Sequence, residues 1–248
     1  MKLRSMMFVG AAALATAVFA DGEYTDGKVC GWMRVDSTLP ITAVGVPWTA
    51  VSNTTVNVAV ADLVKTDSLT TNDKLYIYDN GDWKMFNLQE VSGVRKWVGS
   101  TTVSTNSPSG VEAGDDSMLI ARGQALYLER QNPATPFYVY GAVGSAIQPQ
   151  TLTANSKNLV ASPKAEAFVI STTSIVNATA KARGQKGDQI VVPLDGGASR
   201  VYTLVNGAWG YTDSSTGSRM TGAEACKVPL GTGFWYNTAV GSTPTINW

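Results

Sequence analysis

The feature that most constrains this chain is an internal repeat, in which landmarks of its first half recur in the same order in its second. "AVGVPW" (Ala43 to Trp48) is matched by "LVASPK" (Leu159 to Lys164), each a small apolar strand that ends at a proline. "NDKLYIYDNG" (Asn72 to Gly81) is matched by "GDQIVVPLDGG" (Gly187 to Gly197), and Trp97 by Trp209. "IARGQALYLE" (Ile120 to Glu129) aligns with "VPLGTGFWYN" (Val228 to Asn237), so Gly123 faces Gly231 and Tyr127 faces Trp235. "PFYVYG" from Pro136 then aligns with "PTINW" from Pro244. The offset drifts from 116 to 108 residues, and the drift falls in turns, where insertions cost little free energy. A repeat of this length governs the architecture, since each copy must build the same supersecondary unit.

Inside each unit the dominant period is two. "KLYIYD" and "KMFNL" in the first copy, and "QIVVPL" and "RVYTLV" in the second, are separated by the turn sequences "DNGD" and "DGGA". Asn-Gly and Gly-Gly supply the positive φ that tight hairpins need, so these stretches read as antiparallel strands. Alternation in "GTGFWYN" puts Phe234 and Tyr236 on one face, with Leu126 and Leu128 as counterparts, and Trp235 and Tyr127 on the other. One short helix per unit is predicted. In the second copy Thr172 or Thr173 would cap it, Ile175, Val176, Thr179 and Ala182 would face inward, and Gly184 would stop it. In the first copy "VADLVKTDSL", with Val60, Leu63 and Val64 on one side, is the counterpart. The expected fold is mainly β: two homologous antiparallel sandwich or barrel-like units packed as a pseudo-symmetric pair. The boundaries are a signal peptide over 1–20, a first unit over 29–141, a linker over 142–157 and a second unit over 158–248.

The N-terminal "MKLRSMMFVGAAALATAVFA" carries Lys2 and Arg4, a short apolar run and small residues ending at Ala20, the layout of a secretory signal peptide. The expected mature chain is therefore exported, to the periplasm, the cell surface or the medium, with no transmembrane segment. Loss of Lys2 and Arg4 leaves 17 basic side chains against 19 acidic ones, without blocks of one sign, which gives nucleic acid no footprint. Cys30 and Cys226, the two cysteines, both fall in the exported part, where an oxidising compartment favours a disulfide between them; two separate buried thiols are the alternative. "TINW" at the end also resembles the last strand of an outer-membrane barrel, but the alternating segments of about ten residues that a barrel needs are missing elsewhere.

The chain contains no histidine, which excludes imidazole-based nucleophilic triads, imidazole proton transfer and His-containing zinc sites. No Gly-rich phosphate cradle is present, and "GTG" at Gly231 to Gly233 reads as a turn. A carboxylate pair for glycoside hydrolysis stays open among 19 acidic residues, but Asp73 and Asp188, the equivalent pair, each stand one residue before a strand, where Asp caps turns. "DNGD" (Asp79 to Asp82) lacks the further spaced ligands of a calcium loop and reads as a hairpin turn. No catalytic residue, metal or cofactor is assigned, and the chain is read as a non-enzyme.

Taken together, "LVASP", "GDQIV", Trp209 and "PLGTGFWY", with "VGVP", "NDKLY", Trp97 and "ARGQALY" as the weaker copy, resemble a loose group of exported bacterial proteins built from tandem β-rich units. The resemblance implies an extracytoplasmic scaffold and carries over no ligand or active site. The expected function is that of a non-catalytic surface or extracellular structural protein, assembling with itself or with other envelope components. The alternative is a glycan-binding module that stacks sugars on exposed aromatics, with Trp97, Trp209, Tyr127 and Trp235 as the candidate binding residues.

Overall fold

The structure is a computed structural model that describes residues 15–18, 29–35, 41–45, 57–59, 69–79, 81–105, 107–115, 117–121, 123–133, 137–143, 149–164, 166–194 and 198–248. Among these residues there is no helix, and hence none long and apolar enough to cross a membrane. The strands of the first half are β1 (Ala15–Val18), β2 (Val29–Val35), β3 (Ile41–Gly45), β4 (Asn57–Ala59), β5 (Lys74–Asp79) and β6 (Asp82–Val91). They continue with β7 (Val94–Gly99), β8 (Val111–Ala113), β9 (Leu119–Ala121), β10 (Ala125–Glu129) and β11 (Phe137–Val143). The second half holds β12 (Gln150–Thr151), β13 (Lys157–Ala161), β14 (Phe168–Val169), β15 (Ile175–Val176), β16 (Gln189–Pro193) and β17 (Ser199–Val205). It closes with β18 (Ala208–Thr212), β19 (Arg219–Thr221), β20 (Lys227–Val228), β21 (Gly233–Asn237) and β22 (Thr245–Ile246).

Two six-stranded sheets carry the architecture. The first has the order β3-β10-β5-β6-β7, with β8 added in parallel beside β6, and the second has the order β13-β21-β16-β17-β18-β19. Smaller sheets accompany them: β1-β2-β11 and β4-β9 in the first half, β12-β22-β15 and β14-β20 in the second. All the pairings are antiparallel except that of β8.

The hairpins follow from turn chemistry. Ser92 (φ 54°) and Gly93 (φ 78°) join β6 to β7, and Asn206 (φ 52°) and Gly207 (φ 75°) join β17 to β18. Positive φ at both central residues matches the right-handed twist of the flanking strands, which is why a Gly occupies the second place in each. Alternation then sorts the side chains. Leu126 and Leu128 of β10 and Phe234 and Tyr236 of β21 are fully buried on one face, while Tyr127 and Trp235 between them are half-buried on the other. Each such leucine contributes about 1.5–3 kcal/mol by leaving water. The second half has a continuous core in which Val160, Phe168, Ile170, Ile190, Tyr202, Phe234 and Ile246 pack together.

Two expectations are corrected. Residues 172–184 are not helical: turns flank the short strand β15, which pairs with β22. The reason is local. The Ser171 amide donates to Ser174 Oγ (2.9 Å), the Ser174 amide donates to Ser171 Oγ (3.1 Å) and Ser174 Oγ donates to the Val169 carbonyl (2.7 Å). Hydroxyls that bond the nearby backbone offer it an alternative to the helical ladder. The counterpart expected over Val60 and Leu63 lies outside the described residues. The second correction concerns the disulfide: Cys226 is a free thiol, buried in the second core, where its Sγ donates to the Trp209 carbonyl at 3.4 Å. The side chain of Cys30 lies outside the described residues.

Candidate functional site

Where the two large sheets approach each other, four aromatic side chains meet. The β5–β6 hairpin turns through Gly81 (φ 101°) and sets Tyr78 directly opposite Trp83, a cross-strand pair of large rings. Tyr127 comes from β10 of the same sheet and Trp235 from β21 of the other. Trp83 stacks on Tyr127 with ring centroids 5.2 Å apart and an interplanar angle of 18°. Trp235 meets Tyr78 edge-on at 5.1 Å and Trp83 edge-on at 5.8 Å. Its indole Nε1 donates to the Tyr127 hydroxyl at 2.8 Å. Ala125, Leu159 and Ala161 are buried beside the rings.

Backbone contacts frame this seam. Val44 bridges to Thr232 and Gln124 to Val160, and the Ala161 amide donates to the Gly123 carbonyl at 2.9 Å. The Gln124 side-chain amide donates to the Tyr78 carbonyl at 3.0 Å. Gly123 holds φ 84° beside Gln150, a conformation that calls for glycine. Burial pushes the Tyr127 phenol above its ordinary range, the bond from Trp235 opposing the shift. Edge-to-face and offset arrangements of this kind stabilise beyond the area they bury. The indole N–H of Trp235 is thus spent on Tyr127.

The other two candidate residues are elsewhere. Trp97 on β7 is 4% exposed and Trp209 on β18 is 3% exposed, the latter in the second core beside Tyr236. Neither offers an open indole face on which a sugar could stack. The structure thus brings Tyr127 and Trp235 together and leaves Trp97 and Trp209 in separate interiors.

Asp73 and Asp188 are both buried, and both carboxylates are taken up by chain amides. Asp73 accepts from the amides of Thr70 (2.9 Å) and Gln131 (2.7 Å) and from the Thr70 hydroxyl. Asp188 accepts from the amides of Thr179 (3.0 Å) and Ala239 (2.7 Å), the Ser242 hydroxyl (2.7 Å) and the Tyr236 hydroxyl (3.1 Å). A carboxylate that satisfies several buried donors fixes the loops that carry them. Burial, reinforced by Asp188, raises the Tyr236 phenol far above its usual range.

One polar cluster is not legible as a unit in the sequence. On the seam face of the first sheet, Lys74 and Glu129 stand opposite each other in register, with Nζ and Oε1 3.9 Å apart. Glu129 also accepts from Tyr76 (2.5 Å) and Ser104 (2.7 Å), and the Tyr76 hydroxyl shares a 2.7 Å bond with Ser107. The turn at Ser104 and Ser107 is thereby clipped to the sheet, with Lys74, Tyr76 and Glu129 nearly excluded from solvent. Burial first, then the bond to Glu129, pushes the Tyr76 phenol well up. A group so far from water and bonded to both Glu129 and Ser107 anchors its segment. No group of three or more His, Cys, Asp or Glu side chains able to hold a metal occurs among the described residues. Comparison with models of protein families, with curated proteins and with solved structures finds no match to this chain.

Proposed function

We propose that this chain is an exported, non-catalytic structural protein of the cell surface or extracellular space, which assembles with itself or with other envelope components. It is built from two copies of one β unit, folded back on each other about a pseudo-two-fold axis. The observation that carries the reading is the bond between Tyr127 and Trp235. Two residues at the same place in the repeat meet each other, as self-complementary contacts about a two-fold axis do. The bridges Val44–Thr232 and Gln124–Val160 support it in the same way, since Val44 corresponds to Val160 and Gln124 to Thr232. The strand orders β3-β10-β5-β6-β7 and β13-β21-β16-β17-β18 also correspond element by element.

A non-catalytic role is supported by how the chemistry-bearing residues are used. Asp73, Asp188, Glu129 and Tyr76 all bond to their own chain. Export is supported by the N-terminal pattern of Lys2, Arg4, a short apolar run and Ala20. The test is light scattering of the purified chain over rising concentration. The expected result is a mass that climbs beyond that of one chain. A single, inert monomer at every concentration, alone and with envelope extract, overturns the assembly reading.

A further inference from the structure

Between β14 and the last residues of the chain lies a pocket of about 460 Å³, which none of the four seam aromatics lines. This volume is in the range of small-molecule sites, about 300–1,000 Å³. Trp248 forms one wall, wedged against Phe168 (ring centroids 5.1 Å apart) and Phe234 (6.5 Å), and remains half-buried. Lys164 and Glu166 line the pocket as an ion pair, 3.5 Å apart, with side chains 38% and 68% exposed. Thr173 and Asn247 line it as well, the Asn247 side-chain amide donating to the Thr173 carbonyl at 3.2 Å.

These groups select a class of ligand. The cation and the anion belong to one pair, so the two side-chain charges of the pocket offset each other. The hydroxyl of Thr173, which also shares a 2.9 Å bond with Ser171 Oγ, the amide oxygen of Asn247 and the two partly exposed charged ends supply both donors and acceptors. Beside them stands a rigid aromatic wall whose apolar body suits C–H groups. A flat molecule with apolar C–H faces and a rim of hydroxyls answers both. We propose that this pocket binds a neutral saccharide ring, with Trp248 as the stacking wall and Lys164, Glu166, Thr173 and Asn247 as the hydrogen-bonding rim. The site is independent of the assembly reading and of the four recurring aromatics, none of which lines it.

The experiment follows the Trp indole N–H resonances of the full chain in a ¹⁵N-labelled sample, titrated with maltotriose and separately with the trimer of N-acetylglucosamine. The Trp248 resonance is identified by its loss in Trp248→Phe, which keeps an aromatic wedge between Phe168 and Phe234. The expected result is a saturable shift of the Trp248 resonance with at least one of the two sugars. Lys164→Met and Thr173→Val, both at partly exposed side chains, should each weaken binding about fivefold, the effect of one lost hydrogen bond. The proposal is overturned by any of three results: no shift with either sugar, a shift confined to other Trp residues, or a Trp248 shift untouched by both rim substitutions. Stronger binding of a sulfated trisaccharide than of its neutral parent would overturn the neutral-ligand assignment. Light scattering on the same samples separates failure here from failure of the assembly reading.

Discussion

Trp235 donates its indole hydrogen to Tyr127 across 2.8 Å, and that one bond joins a strand of each large sheet. Around it Tyr78 and Trp83 complete a seam, so the rings hold two halves of the chain together. Removing Trp235 should act on the coupling of the halves as much as on total stability. Trp235→Phe, which keeps most of the ring and loses the bond, is expected to cost about 1 kcal/mol. Trp235→Ala is expected to cost about 3–5 kcal/mol and to split one cooperative urea transition into two. A single unshifted transition in Trp235→Ala would contradict the coupling.

Asp188 satisfies two backbone amides and two hydroxyls in a fully buried place. Asp188→Ala leaves those donors without an acceptor, and the expected cost is roughly 3–5 kcal/mol. Asp188→Asn keeps one acceptor oxygen and should be milder. Thermal unfolding of the two variants checks the order.

Alkaline pH should unfold the protein through its tyrosines. The phenols of Tyr76, Tyr127, Tyr202 and Tyr236 are all raised above the ordinary 10.0, in each case chiefly by burial. Folding thus favours the protonated form, so the stabilisation is fully present below about pH 10 and is lost as pH rises beyond it. Tyrosinate absorbance and the unfolding signal should therefore rise together in an alkaline titration. Ionisation of all nine tyrosines with the fold intact would refute this.

Cys226 is buried, and burial raises its thiol above the ordinary range. It is expected to resist alkylation by iodoacetamide in the native protein and to react once urea opens the second core. Peptide mass mapping of the native reaction would detect the contrary outcome.

Much of this fold is written locally. "VSGV" and "VNGA" specify their hairpins because only certain residues accept positive φ at both turn positions, and "ALYLE" and "GFWYN" specify their faces because a strand alternates. The helix predicted over Thr172 to Gly184 does not form because the helical spacing at Ile175, Val176 and Thr179 is outweighed by local hydroxyl-to-backbone bonds. The deciding bonds of Ser171 and Ser174 are made by side chains whose rotamers no periodicity encodes. The seam was half legible: alternation placed Tyr127 and Trp235 away from the leucine face, and the pairing of Tyr78 with Trp83 follows from "YDNGDW" once the two-residue turn is assigned. That these four rings meet depends on long-range docking, which local pattern does not carry. The same holds for Lys74, Tyr76, Ser104, Ser107 and Glu129, which are scattered along the chain and converge only in the folded sheet.

The bridges of Val44 and Val160 turn β3 and β13 inward, which leaves β7, β8 and β19 as the outermost strands of the large sheets. Those margins expose Arg95 and Lys96, Glu112, and Arg219. Charge on a sheet margin discourages a neighbouring chain from knitting its backbone onto it. Edge-to-edge joining of neighbouring chains is thereby disfavoured, even at high local concentration.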